Sequence, residues 1–325
     1  MPAYSKISVK SLPYSHFRKF LDSRGDPDNN RFNIIRDVLN AAHLPYRIEN
    51  IGCGRHFFIN PGAKLIKSKD GHEDGQLSNT RPDCIIVAHY DCVSDSEGAN
   101  DNGASVFMLL DAAIRLHVKH IVEKTSLDNA NAFFILSDKE EISGGEGATS
   151  QGSYAIATRF KHYESPVFIF DACGRGDTLI ISTTVDDLLK QESSLSTANT
   201  QKKMQQLRKY ALRAAANTQK NAYLLMSTPF SDDLGFLRAG IAAQTITVLP
   251  KEEAMAFSAL VRTNVLYKSA LINSRHKLMQ DKLKLPQTWE FLNGPGDIFG
   301  RLTPENFPKV VKFILNLCNL LSGKP

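Results

Sequence analysis

The sequence predicts an α/β protein whose sheet is partly parallel and covered on both faces. Two observations carry this. Short apolar runs at residues 84–88, 132–136, 167–170 and 244–249 are separated by helical patterns at 104–116, 147–159 and 202–222, the alternation expected of strands joined by crossover helices. The runs 84–88, 132–136 and 167–170 are also apolar throughout rather than at alternate positions, as in strands covered on both faces.

The elements follow in order. Residues 15–42 carry helical spacing in Phe17, Phe20 and Leu21, then in Ile34, Ile35, Val38 and Leu39. Asp26, Pro27 and Asp28 break that stretch, because proline interrupts one helix and is tolerated in the first turn of the next. Residues 46–68 alternate weakly and predict a hairpin that turns at Pro61 and Gly62. The four runs and three helical patterns come next. Residues 303–323 read as the clearest helix. Thr303 is the expected N-cap, Pro304 the first residue and Glu305 part of the first turn. Phe307, Val310, Val311, Ile314, Leu315 and Leu317 form the apolar stripe, and Gly323 is the stop. The polar stretches at about 187–221 and 251–284 are expected to be helical excursions on one domain spanning 1–325.

Composition narrows the class. The 325 residues are 42% hydrophobic and 22% charged, an ordinary globular balance that excludes a disordered or collagen-like chain. No apolar run approaches the ~20 residues of a membrane-spanning helix. Lys and Arg exceed Asp and Glu by 39 to 34, too small and too dispersed an excess to predict a nucleic-acid surface. Five cysteines, Cys53, Cys84, Cys92, Cys173 and Cys318, form no CxxC pair. Free thiols and a cytoplasmic location are expected.

Chemistry concentrates where the predicted strands end. The first run leads into His89 and Asp91, the second into Glu140 and Glu141, and the third into Asp171. The loop 98–103, with Asp101 at its centre, leads into a helix. Ligands of open α/β sheets sit beyond the carboxyl ends of the strands, and imidazole with carboxylates suits zinc or a similar divalent ion. Each residue alone has a plainer explanation, such as a turn or a solvated acidic pair. Their joint placement points to a metal site.

These residues resemble a known family. His89-x-Asp91, the block Gly98, Ala99, Asn100, Asp101, Asn102, Gly103, Ala104, Ser105, the pair Glu140-Glu141, and Asp171 follow the order and approximate spacing of the M28-type zinc aminopeptidases. Ser231, Asp232, Phe236, Ala239, Gly240 and Ile241 are similar to a later family segment. Pro295 and Asp297, followed by Leu302, Thr303, Pro304 and Glu305, are similar to its closing one. The resemblance runs from about residue 80 onward, with gaps at the helical excursions. It implies one domain, a three-layer α/β/α arrangement around a mixed, mostly parallel central sheet, holding one or two zinc ions. By position, Asp101 would bridge the ions, His89 and Asp171 would complete the first site, and Glu141 would serve the second. Asp91 would orient His89, and Glu140 would be the general base for a metal-activated water. Gly144 and Gly145 are expected to ease the turn that brings both glutamates to one site.

The sequence departs from the family at two points. The final metal-binding His is replaced by Asn293, a poorer zinc ligand, and Asp233 stands where the Ser-Asp-His segment has its His. Three outcomes are open at this level. The second ion binds weakly through Asp101, Glu141 and Asn293; one ion suffices; or the fold persists with little activity as a metal- or partner-binding protein. His276 is a remote substitute ligand. The glutamine-cyclising branch of the family keeps the second site and the final His, so it is disfavoured. Removal of N-terminal residues from peptides is the leading expectation, with Asp232 or Asp233 meeting the substrate amine. A carboxypeptidase or N-acyl amino acid hydrolase would instead need a cation, for which Arg175 and Arg238 are candidates.

Overall fold

The computed structural model describes residues 14–21, 27–63, 65–67, 73–75, 81–123, 131–141, 147–160, 164–219, 222–272 and 284–323. Ten strands are present: β1 (Tyr46–Ile51), β2 (Gly54–Ile59), β3 (Leu65–Lys67), β4 (Glu73–Gly75), β5 (Cys84–His89), β6 (Ala132–Ser137), β7 (Val167–Phe170), β8 (Thr178–Ser182), β9 (Tyr223–Met226) and β10 (Ala243–Leu249). Eight of them build one sheet in the order β1-β2-β6-β5-β7-β10-β8-β9, and β3 pairs with β4. The centre of the sheet is parallel, from β6 through β5 and β7 to β10. The hairpin β1–β2 joins β6 antiparallel, and β8 joins β10 antiparallel. The sheet is therefore mixed, as the sequence predicts.

Helices cover both faces. They are α1 (Tyr14–Leu21), α2 (Pro27–Ala41), α3 (Ala104–Glu123), α4 (Gly152–Arg159), α5 (Thr184–Gln191), α6 (Ala198–Thr218), α7 (Asp232–Arg238), α8 (Lys251–Thr263), α9 (Val265–Ile272) and α10 (Phe307–Leu321). Successive strand side chains point to opposite faces, and the core divides accordingly. Ile86, Phe134 and Phe168 pack under Leu109, Ile35 and Phe313, whereas Ile85, Val87, Phe133 and Ile169 meet Ile156 of α4 and Phe236 of α7. This two-sided burial is why the runs of β5, β6 and β7 are apolar at every position. A fully buried side chain of this size stabilises by about 1.5–3 kcal/mol. No helix among the described residues is long and apolar enough to cross a membrane.

The structure departs from expectation in four places. The hairpin turns at Gly52 and Cys53, because Ile51 pairs with Gly54 and Gly52 supplies the positive φ (62°) that a two-residue loop demands. Pro61 and Gly62 lie just beyond β2, where the Gly62 N–H donates to the Asn60 side chain at 3.0 Å. β8 and β9 escape the pattern reading, since runs of five and four residues cannot be told from a turn of helix. Thr303 does not cap a helix: its hydroxyl accepts the Gly176 N–H at 2.9 Å. Pro304–Asn306 form a 3₁₀ turn, and α10 starts at Phe307.

Phe313 of α10 is fully buried and meets Phe170 edge-on, ring centroids 5.9 Å apart, one residue before Asp171. Phe313→Ala is expected to destabilise the fold by about 3–5 kcal/mol through loss of buried area and the cavity left behind. Urea unfolding of the two proteins measures this.

Candidate active site

The connection leaving β5 leads through α3 to β6 on one side, and the chain then crosses to β7 on the other. The carboxyl end of β5 is thus the crevice where the strand order reverses, the usual ligand site of such sheets. His89 is the last residue of β5, Asp171 follows β7, and Asp101 sits in the loop before α3. The fold brings all three together. His89 Nε2 lies 3.2 Å from Asp101 Oδ1 and 3.6 Å from Asp171 Oδ1. Donors about 2.0–2.2 Å from a shared tetrahedral ion would stand about 3.3–3.6 Å apart. Glu140 and Glu141 form a second cluster with the same histidine, all donor atoms within 4.8 Å of one another.

The electrostatics favour a cation. Burial raises the pKa of Asp101, and the nearby Asp171 charge adds to it. Glu141 is pushed up to about 9 by burial and then by Asp101, and burial lifts Glu140 well above the carboxylate range. Burial works to lower the pKa of His89, but the carboxylates of Asp101, Asp171 and Asp91 outweigh it and hold the value well above the ordinary one. His89 Nε2 and Asp171 Oδ1 are also buried without a hydrogen-bond partner. Orphaned imidazole nitrogen and orphaned carboxylate oxygen, facing each other among repelling carboxylates, form a donor set that fits zinc.

The remaining predicted residues divide. His89 Nδ1 stands 3.2 Å from the Asp91 carbonyl and 3.4 Å from its Oδ1. The Asp91 carboxylate also accepts the backbone N–H groups of Glu140 (3.3 Å) and Glu141 (3.0 Å). Asp91 therefore ties the histidine to the turn that carries both glutamates. Asn293 is exposed and reaches Glu141, its amide nitrogen donating to Oε1 at 2.7 Å and Oε2 at 3.2 Å. Turned over, its oxygen faces the same carboxylate, an orientation that a protonated Glu141 or a cation held between the two would favour.

Asp232 and Asp233 are fully buried and do not line the cavity. Asp232 accepts from the Ser137 hydroxyl (2.8 Å), and Asp233 accepts the Ser231 N–H (3.0 Å). Arg175 pairs with Glu253 at 3.3 Å, and Arg238 pairs with both carboxylate oxygens of Glu192. Gly144, Gly145 and His276 lie outside the described residues. Within them, the turn is made by Lys139 at φ 65°.

Several positioning residues went unread in the sequence. Asp297 accepts the N–H groups of Asn100 (2.7 Å) and Asp101 (2.9 Å). The Asn102 side chain donates to the Phe170 carbonyl (2.8 Å), tying the Asp101 loop to the end of β7. Arg31, fully buried on α2, donates to the carbonyls of Tyr90 (2.9 Å), Glu97 (2.5 Å) and Gly98 (3.1 Å). Its signal was there: Arg31 precedes Ile35 by four residues, a charge on the apolar stripe. Gln151, which donates to Glu140 Oε1 at 3.1 Å, had no such signal.

Comparisons with known proteins bear on the family and the fold. The family model of peptidase family M28 matches residues 75–270, and the chain belongs to that family of metal-dependent peptidases. No curated protein matches the sequence. Among solved structures, a glutaminyl cyclase from Porphyromonas gingivalis is 12% identical with a TM-score of 0.59, covering 94% of this chain and 96% of its own. The LapA aminopeptidase of Legionella pneumophila is also 12% identical with a TM-score of 0.59, covering 96% of this chain and 71% of its own. A zinc aminopeptidase from Bacillus subtilis is 18% identical with a TM-score of 0.49; 82% of this chain matches, and it spans about half (49%) of that enzyme. At these identities the likeness is one of fold.

The raised carboxylates give a pH signature. Glu141 titrates near 9 when folded against about 4.3 unfolded. The native state therefore binds extra protons in that window, and their contribution to stability is lost as pH rises through it. Metal-free protein is expected to melt at a lower temperature at about pH 8 than at about pH 6. Zinc competes with those protons, so its stabilisation is expected to be larger at the higher pH. Thermal melts with chelator and with zinc check both.

Proposed function

We propose that this chain is a zinc-dependent aminopeptidase that removes N-terminal residues from peptides. The observation that carries it is the cavity beside the cluster. It measures about 500 Å³ and is lined by Asp101, Glu140, Glu141 and Asp171, with no Lys or Arg among the described lining residues. Four carboxylates exceed the charge of one divalent ion, and a substrate ammonium would offset part of the remainder. A substrate carboxylate would meet repulsion there, and Arg175 and Arg238 are already paired. Phe230, Leu234, Trp289 and Leu292 line the same cavity and would take an apolar part of the substrate. The five cysteines carry no disulfide, which supports a reducing, cytoplasmic setting.

His89, Asp101 and Asp171 would hold the tighter ion, and Asp101, Glu141 and Asn293 a weaker second one. Zinc bound there would lower the pKa of its water toward about 7 and polarise the scissile carbonyl. Glu140 would take the proton of the attacking water and pass it to the leaving amine. Its burial makes it a stronger base than an exposed glutamate, and Gln151 fixes one of its oxygens. Asp91 would keep His89 turned toward the ion by holding Nδ1.

Aminoacyl chromogenic substrates, with and without N-acetylation, test the reading. Turnover of the free amines alone is expected. Glu140→Gln should cut turnover by about 10²–10⁴-fold with zinc content unchanged, and equal rates would remove Glu140 from the mechanism. Asn293→His supplies the better ligand and is expected to raise bound zinc per chain, read by elemental analysis under limiting metal.

A further inference from the structure

Two consecutive carboxylates can serve one cleft only if the chain between β6 and the cluster turns sharply, because an extended chain sends neighbouring side chains to opposite sides. What holds that turn lies outside the cluster. His56 is on β2 and fully buried. β2 pairs antiparallel with β6, Phe57 opposite Leu136, so His56 lies beside the point where β6 ends. Its Nδ1 is 3.1 Å from the backbone nitrogen of Asp138, and its Nε2 is 3.1 Å from the Ile51 carbonyl oxygen. A carbonyl cannot donate and an amide N–H cannot accept. The proton therefore sits on Nε2, and Nδ1 is the acceptor. Burial, the largest influence on this ring, holds its pKa below the ordinary histidine value.

The rest of the turn depends on that contact. The Arg55 N–H donates to Asp138 Oδ2 at 2.9 Å, so neighbouring residues of β2 hold both the main chain and the side chain of Asp138. Lys139 then adopts φ 65°, and its carbonyl accepts the Gly152 N–H at 2.9 Å. A Cβ on Gly152 would stand 1.9 Å from the Asp138 carbonyl oxygen and 2.8 Å from His56 Cε1. Glycine is required there for the turn and the ring to fit together. A left-handed conformation is disfavoured for a non-glycine residue and persists only where its surroundings over-determine it.

We infer that His56 is a positioning residue: by accepting the Asp138 N–H at Nδ1 it fixes the turn 138–141 and so places Glu140 and Glu141 in the cleft. The inference rests on the proposal that Glu140 is the base, and it deepens that proposal.

The test compares the zinc-loaded full chain with His56→Asn, whose amide oxygen can replace the Nδ1 acceptor, and with His56→Leu, which has no acceptor. Expected for His56→Leu is a fall in kcat of about 10–100-fold, the scale set by small misplacements of reacting groups, with KM little changed. His56→Asn should recover most of that loss. Hydrogen exchange reads the turn without turnover: the amides of Asp138, Glu140 and Glu141 should lose protection in His56→Leu and keep it in His56→Asn. Wild-type kcat and exchange in His56→Leu would overturn the inference, as would equal impairment of both variants. If the wild type hydrolyses no aminoacyl substrate, the aminopeptidase proposal falls, and the exchange result alone decides the role of His56. If His56→Leu does not fold, nitrogen NMR of the wild-type imidazole decides. A neutral ring protonated on Nε2 is expected, and a proton on Nδ1 near neutral pH would overturn the assignment.

Discussion

Asp101, Asp171 and Glu141 bring three carboxylates around one buried imidazole, and like charges at such distances repel strongly. At about 4 Å and an effective dielectric near 20, one such pair costs about 4 kcal/mol. The chain has two ways to live with this: take up protons, as the raised pKa values of Asp101 and Glu141 record, or hold a divalent cation. Family membership and the orphaned His89 Nε2 and Asp171 Oδ1 favour the cation. The rest of the site is a framework that keeps these repelling groups from relaxing apart.

That framework consists mainly of bonds to backbone groups rather than contacts between charged side chains. Asp297 holds the loop of Asp101 by two N–H groups, Asn102 ties the same loop to β7, and Asp91 takes the N–H groups of Glu140 and Glu141. Arg31 gathers carbonyls from the loop after β5, and His56 holds Asp138. Bonds to backbone fix chain position without adding ligands that would compete for the ion, and outer contacts of this kind orient the inner donors. The strands supply rigidity, and the loops at their ends supply chemistry.

The sequence made the centre of this protein legible and its periphery much less so. β5, β6, β7 and β10 are buried on both faces, so their apolar runs stand out. His89 and Asp171 could be placed because they end such runs. Asp101 and the glutamate pair were placed by the loop and the strand end they occupy, and the resemblance to a family implied their roles. The hairpin turn was misplaced because Pro61 and Gly62 are the louder turn signal, although Gly52 makes the turn. β8 and β9 are too short to show a period. Asp232 and Asp233 look like substrate groups in the sequence, but burial takes them out of the cavity. Arg31 and His56 act through contacts 59 and more residues away along the chain, which periodicity cannot report.

Gripping of zinc by His89, Asp101 and Asp171 is the claim on which the rest stands. Anomalous diffraction above and below the zinc edge, from crystals grown with zinc, tests it most directly. A peak about 2.0–2.2 Å from His89 Nε2 and from a carboxylate oxygen of both Asp101 and Asp171 is the predicted result. Zinc bound only elsewhere, with those three side chains free of it, would contradict the account.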